Sequence, residues 1–173
     1  MLFDLRDRLK YDPETGNFVW LIPPKGTALG SVAGKVTDHT TKAQRATGWR
    51  SNMRRTIRIK GKHYYTNRLA WFFMTGIWPQ DQVDHVNLNS LDDSWSNLRL
   101  ASQEQNNFNQ GIRSNNKSGF KGVHLYKLTG RWCAMISIKN KTRNLGYFST
   151  PEQAHEAYKQ AAKSLRGDFA RYD

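Results

Sequence analysis

Residues 82–110 admit few arrangements: a short strand over 82–86, an asparagine-rich loop over 87–97, a second strand over 98–101 and a helix over 102–110. Ser102 and Gln105 stand at capping-box spacing, which marks the helix start. A strand, loop, strand and helix joined this tightly would bring Asn106, in the first turns of the helix, beside Asp84 at the end of the first strand.

The same stretch carries chemistry. Asp84 and His85 end the first strand, Asn97 follows His85 by twelve residues, and Asn106 follows Asn97 by nine. Imidazole is the side chain that accepts protons near neutral pH. A carboxylate and an amide oxygen suit a hard cation such as magnesium, which keeps several waters and takes phosphate oxygens as further ligands. An acid, an imidazole and two amides around a compact loop point to phosphodiester cleavage in a chain whose partner is a nucleic acid.

That partner follows from charge. The net charge is +13 over 173 residues, which calls for a polyanion. Between Asp38 and Asp81 there is no acidic residue, while Lys42, Arg45, Arg50, Arg54, Arg55, Arg58, Lys60, Lys62 and Arg68 fall in the gap, interleaved with Trp49, Tyr64 and Tyr65. This is a candidate phosphate-binding stripe, suited to the backbone and not to bases. Membrane lipid is the rival polyanion, but no apolar run approaches the roughly 18 residues of a spanning helix. The start MLFDLRDRLK lacks a signal-peptide core, so the expected location is the cytoplasm, that of the host cell for a phage-encoded chain. The single cysteine, Cys133, excludes an intrachain disulfide and cysteine-rich zinc sites.

Upstream, the pattern predicts an amphipathic helix over 1–10, a turn over 11–16, a strand over 17–21 and an unresolved Gly- and Thr-rich segment over 23–48. A hairpin over 56–66 turns at Gly61, and a buried helix over 67–75 is closed by Gly76. Residues 110–119 are polar and Gly-bearing, as a linker would be. Beyond them, strands over 120–126, 131–139 and 143–148 precede a helix over 151–166. Thr150, Pro151 and Gln153 mark its start, and Ala154, Ala157, Tyr158, Ala161 and Leu165 recur at helical spacing.

The Asp84-His85, Asn97 and Asn106 spacing, preceded by the lead-in from Tyr64 to His85, resembles HNH endonucleases of phages and mobile introns, in the variant whose last His is Asn. The resemblance implies an α+β chain with a ββα-metal nuclease core about 82–110, inside a nuclease domain spanning 1–110 with N-terminal basic strands and a helix. It also implies that His85 is the general base, that Asn97 holds its ring by a hydrogen bond, and that Asp84 and Asn106 bind one divalent cation, magnesium first, with manganese or another divalent ion possible. Two departures stand out: Asn67 where relatives often carry His, and Asp93-Ser94 where they often carry Asn-Arg. The first is expected to alter a DNA contact. Asp92 or Asp93 is expected to cap the loop, and Arg99 either contacts DNA or pairs with one of these acids.

After a linker over 111–116, the run Ser118-Gly119-Phe120-Lys121-Gly122-Val123, with Gly130-Arg131-Trp132, Leu145-Gly146-Tyr147-Phe148 and Ala157-Tyr158, resembles the Apetala-two/ethylene-response-factor DNA-binding domain over 117–173. That implies a small three-stranded antiparallel sheet packed on one helix, its exposed face docked in the major groove. Positions matching the contacts are Lys121, His124, Tyr126, Arg131, Ser137, Thr142 and Asn144, and Lys139 adds charge on the same face. The expected function is metal-dependent endonucleolytic hydrolysis of double-stranded DNA by a phage-borne or homing enzyme. Nicking against double-strand cutting, and monomer against dimer, stay open. The alternative is a DNA-binding regulator without catalytic activity, with RNA binding as a third reading.

Overall fold

Leu9-Lys10-Tyr11 and Phe18-Val19-Trp20 each alternate, so Leu9, Tyr11, Phe18 and Trp20 fall on one face and are buried there. In the computed structural model these segments are β1 (Leu9–Tyr11) and β2 (Phe18–Trp20). They pair antiparallel and are joined by β3 (Val32–Ala33) in the order β1-β2-β3. The helix α1 (Phe3–Arg8) precedes them and stops short of the predicted residue 10 because Leu9 enters the sheet. The structure describes residues 3–41, 53–112, 115–139 and 141–172. It divides into two units, Met1–Ala101 and Ser102–Asp173.

In the first unit a second antiparallel sheet has the order β4-β5-β6, with β4 (Lys35–Asp38), β5 (Met53–Ile59) and β6 (Lys62–Tyr65). The expected hairpin forms between β5 and β6. Its two central residues, Lys60 and Gly61, have φ of 47° and 81°, the left-handed pair of a type I′ turn. The helix α2 (Thr66–Thr75) buries Leu69, Ala70 and Phe72, and Gly76 closes it with its N–H on the Phe72 carbonyl at 2.8 Å. The strands β7 (Gln82–His85) and β8 (Leu98–Ala101) then pair antiparallel, with Asp84 opposite Arg99 and His85 opposite Leu98. Val83 and Leu98 join Leu5, Phe18, Ile57 and Leu69 in one apolar core, which anchors both strands.

The second unit begins with α3 (Gln103–Asn109). Its capping box is complete: the Ser102 hydroxyl accepts from Gln105 N at 3.2 Å, and the Gln105 side-chain oxygen accepts from Ser102 N at 2.8 Å. The unit boundary therefore precedes α3 and does not fall in the predicted linker over 111–116. The reason is local. The Arg166 guanidinium lies over the Phe108 ring at 4.3 Å, and Lys121 Nζ donates to the Phe108 carbonyl at 2.7 Å.

Three strands, β9 (Val123–Tyr126), β10 (Arg131–Ile138) and β11 (Lys141–Phe148), make an antiparallel sheet with β10 in the centre and a bulge at Ala134/Met135. Against it packs α4 (Pro151–Arg166), started by Thr150, whose hydroxyl accepts from Gln153 N at 3.3 Å, and by Pro151 in its first turn. Ala154, Tyr158 and Ala162 are its buried stripe. Leu165, expected in that stripe, is 43% exposed, because the i, i+4 row from Ala154 runs through Ala162. Trp132, Ala134, Ile136 and Ile138 face the helix. Arg131, Cys133, Met135 and Ser137 alternate onto the other face.

Candidate active site

The site is built on the end of β7 and the loop that follows. Asp84 and His85 are 6% and 5% exposed, the last residues of a strand whose Val83 is fixed in the core. Asn67, on the first turn of α2, donates from Nδ2 to the Val83 carbonyl at 2.9 Å, so it sets the height of the strand just before Asp84. Asn67 thus has a structural role, since an amide offers the donor that the strand carbonyl accepts from.

The loop closes on itself through amides. Asn97 Oδ1 accepts from Asn87 N at 2.9 Å, its Nδ2 donates to the Asp92 carbonyl at 2.7 Å, and its carbonyl accepts from Val86 N at 2.9 Å. Asn97 thus holds the loop, where the family resemblance implies that it holds the His85 ring; both ends of its amide are engaged with loop backbone. Asp92 is a loop residue as expected. Its carboxylate accepts from Asn87 Nδ2 at 2.7 Å and from the Ser94 hydroxyl at 2.7 Å, and the Ser94 bond holds the carboxyl below the usual carboxylate range.

The ring belongs to Asp93. His85 Nε2 lies 3.0 Å from Asp93 Oδ1, and Asp93 is 1% exposed. Sequence reasoning placed Asp93 in a loop-capping role; its place after the loop acid, where relatives differ, was the available signal. The backbone of Asp93 is held from outside the loop. The Tyr11 hydroxyl donates to its carbonyl at 2.6 Å, and Trp95 N donates to the Pro13 carbonyl at 2.8 Å. Burial first, and then the Asp93 charge, push the Tyr11 phenol above its ordinary range, so it stays a donor. Gly16, at φ 71°, lies so close that a Cβ would sit 2.4 Å from the Asp93 carbonyl carbon. Trp95 also packs on Trp71 of α2, with ring centroids 5.0 Å apart.

Arg99 pairs with Asp84, Nε to Oδ2 at 3.0 Å, where the sequence offers Asp92 or Asp93, because the β7 and β8 register sets the two directly opposite. Asn106 lies on α3, in the second unit. Among the described residues no group of three or more His, Cys, Asp or Glu is disposed to hold a metal. A hard cation asks for less: one or two protein oxygens with water and phosphate completing the shell. Asp84 offers one such oxygen, on a carboxylate that Arg99 shares.

Of the expected DNA contacts, Arg50, together with Lys42, Arg45 and Trp49, lies outside the described residues. Arg54, Arg55 and Arg58 are on β5, and Lys60 and Lys62 are at the hairpin turn. Arg55 Nη1 donates to Asn17 Oδ1 at 2.9 Å. Arg68 is a brace: it donates to the Asp81 carbonyl at 2.8 Å and to the Pro79 carbonyl, and lies over Trp78 at 5.5 Å. It ties down the segment between α2 and β7, where a phosphate contact was expected. Lys121 is likewise drawn away from the sheet, onto carbonyls of Phe108 and Gln110 at the end of α3. Lys139 sits past the end of β10 in a turn, at φ 49°, with its backbone N–H on Glu104. His124, Tyr126 and Arg131 share the sheet face away from α4, His124 opposite Cys133 and Tyr126 opposite Arg131. Ser137 and Thr142 join hydroxyls there at 3.0 Å, and Asn144 stands opposite Met135. No helix among the described residues is long and apolar enough to cross a membrane.

A model of the HNH endonuclease family matches residues 64–108, from β6 through α3. The chain is 35% identical over 88 residues to a protein of Acanthamoeba polyphaga mimivirus named as an uncharacterized HNH endonuclease, covering 51% of this chain and 44% of that one. It is 31% identical over 90 residues to protein 3.8 of Escherichia phage T7, covering 52% of this chain and 74% of that one. The chain thus spans less than half of the mimivirus relative and about three quarters of the phage one. No solved structure matches it significantly. The family match, with its motif lying on the buried Asp84-His85 strand end, identifies residues 64–108 as an HNH endonuclease domain.

Proposed function

We propose that this chain is a metal-dependent DNA endonuclease that hydrolyses phosphodiester bonds, virus-borne and of the phage or homing type, a reading that its viral relatives support. The observation that carries the reading is the buried Asp84-His85 pair at the end of β7, inside the segment matched by the family, with a polar loop folded around it. His85 takes a proton from the water that attacks phosphorus in line; the bond from phosphorus to the 3′ oxygen then breaks. Asn97 keeps the loop closed around His85, and Asn67 keeps the strand in place. When bound at Asp84 and Asn106, a divalent cation, magnesium first, supplies charge neutralisation for the phosphate and the departing oxygen, in the ββα arrangement the family pattern implies. The basic β5 and β6 hairpin, with Arg54, Arg58, Lys60 and Lys62, holds the phosphate backbone. The outer face of β9, β10 and β11, with His124, Tyr126 and Arg131, is a second duplex-binding surface of the Apetala-two type, and together the two raise local substrate concentration.

Supercoiled plasmid incubated with the protein and magnesium, beside His85→Ala and a chelator control, tests the reading. Nicked or linear product is expected from the native chain alone. The Arg99 to Asp84 ion pair favours one second reading, a DNA-binding regulator that does not cut, because it already neutralises the carboxylate a cation would use. Tight DNA binding without any product, in magnesium and in manganese, would establish that reading instead.

A further inference from the structure

Asp92 and Asp93 are adjacent acids with opposite placements. Both oxygens of Asp92 accept hydrogen bonds that close the loop. Asp93 has one oxygen on His85 Nε2 at 3.0 Å, while Oδ2 is buried without a hydrogen-bond partner. A buried carboxylate oxygen left unmatched opposes folding, and nothing in the loop requires it: the turn is held by Asn97, Asp92 and Ser94, and by Tyr11 through the Asp93 backbone. What the Asp93 side chain does is meet the imidazole.

We propose that Asp93 is a positioning residue for cleavage: its carboxylate accepts a hydrogen bond from the Nε2–H of His85, fixing the ring plane and directing Nδ1 to take the proton from water. The role rests on the endonuclease reading above. An ionised carboxylate can only accept, so the 3.0 Å contact specifies which ring nitrogen carries the hydrogen. Buried carboxylates that hold a catalytic imidazole in one tautomer and one orientation act in this way in other hydrolases. The N-terminal turn from Tyr11 to Gly16 presses on the Asp93 backbone from outside, so the carboxylate is presented by the fold and does not depend on the loop alone.

The test reads the tautomer and the rate separately. In ¹⁵N–¹H spectra of the full chain, the signals of His85 are those lost in His85→Ala. Neutral His85 is expected to carry its proton on Nε2. In Asp93→Ala that preference is lost, and kcat for plasmid cleavage falls about 100-fold with KM for DNA unchanged. Asp93→Asn, whose amide can turn its NH2 toward Nε2 and so favour the opposite tautomer, is expected to lose the Nε2 preference and to fall in kcat at least as far as Asp93→Ala. Should Asp93→Ala unfold, the native spectrum and Asp93→Asn decide. A proton on Nδ1 in the native chain, a native rate in Asp93→Ala, or a loss expressed only in KM overturns the role. A native chain that cuts no DNA overturns the endonuclease reading, and the positioning role with it. A native chain and Asp93→Ala that cut equally overturn the positioning role alone.

Discussion

His85 and His155 are both packed into the protein, one in each unit, and their surroundings are opposite. His85 ends a strand, meets a buried carboxylate at 3.0 Å, and stands in a loop closed by side-chain amides and acids. His155 lies on α4 with its ring 4.8 Å from Phe120 and stacked at 14° on Tyr158, and its Nδ1 is buried without a hydrogen-bond partner. Burial, with the nearby Lys159 charge, holds the His155 pKa below its ordinary value. The first environment presents a buried carboxylate to a ring nitrogen; the second packs the imidazole chiefly against aromatic rings. The same residue type therefore meets a polar partner in one unit and a packing contact in the other.

The largest effect that would sharpen this contrast is on catalysis. His85→Ala is expected to lower plasmid cleavage by about 10²- to 10⁴-fold, the usual contribution of a general base, and also to lower the melting temperature of the first unit, because the buried Asp93 carboxylate loses its partner. His155→Ala should leave kcat native, while the second unit loses about 1–3 kcal/mol as Phe120 and Tyr158 lose the ring between them. Cleavage rates and thermal melts on both variants decide it. A folded His155→Ala that cuts a hundredfold more slowly would break the comparison.

Next in size are two glycines. Gly16 and Gly122 both have positive φ, at 71° and 74°, and both admit no side chain: an added Cβ would meet the Asp93 carbonyl carbon at 2.4 Å in one case and the Tyr158 ring at 2.2 Å in the other. Alanine at either position is expected to destabilise its own unit by about 2–3 kcal/mol. Only Gly16→Ala should also slow cleavage, because it displaces the backbone that presents Asp93 to His85. Activity assayed below both melting points separates the two. Equal rates in the two variants would mean that the N-terminal turn supports the fold without aiming the site.

Asn97→Ala comes third. It removes two loop hydrogen bonds, at 2.9 and 2.7 Å, and leaves Asn87 N and the Asp92 carbonyl to find water, a loss of about 1–3 kcal/mol read in a denaturant melt. Cleavage should fall through a looser loop and recover partly in Asn97→Asp, which restores the acceptor for Asn87 N but not the donor for Asp92.

What the chain made legible was local. The Lys60-Gly61 turn, the Gly76 stop and the Ser102/Gln105 cap all follow from rules that act within a few residues, and each stands where those rules put it. The short strands β3 and β4 could not be resolved from sequence because pairing partners distant in the chain, β2 and β5, hold them. The site divides the same way. Asp84 and His85 were visible as a motif, and Asp92 as a turn acid bonded to Ser94 two residues on. The contacts of Asp93 were not, because they depend on His85 across the loop and on Tyr11, which is 82 residues away. Arg68 and Lys121 looked like phosphate contacts since composition records charge but not the carbonyls of Asp81 and Phe108 that take it up.

The smallest effect is acid lability, and it separates the units by pH window. Asp92 and His155 both have lowered pKa values in the folded protein, the first from the Ser94 hydrogen bonds, the second from burial. In each case the unfolded chain binds the proton more readily, so stability is full above the ordinary value and is lost as pH falls through the folded one. For His155 the decline starts below its ordinary 6.5; for Asp92 it starts only below 3.8. Melting temperatures from pH 8 to pH 3 should therefore fall in two stages, the second unit first. His155→Phe, which keeps a ring between Phe120 and Tyr158, should remove the upper stage, and Asp92→Asn should blunt the lower one. A melting temperature that is flat between pH 8 and pH 5 would show that His155 reaches water in the folded state, and the contrast with His85 would lose its physical basis.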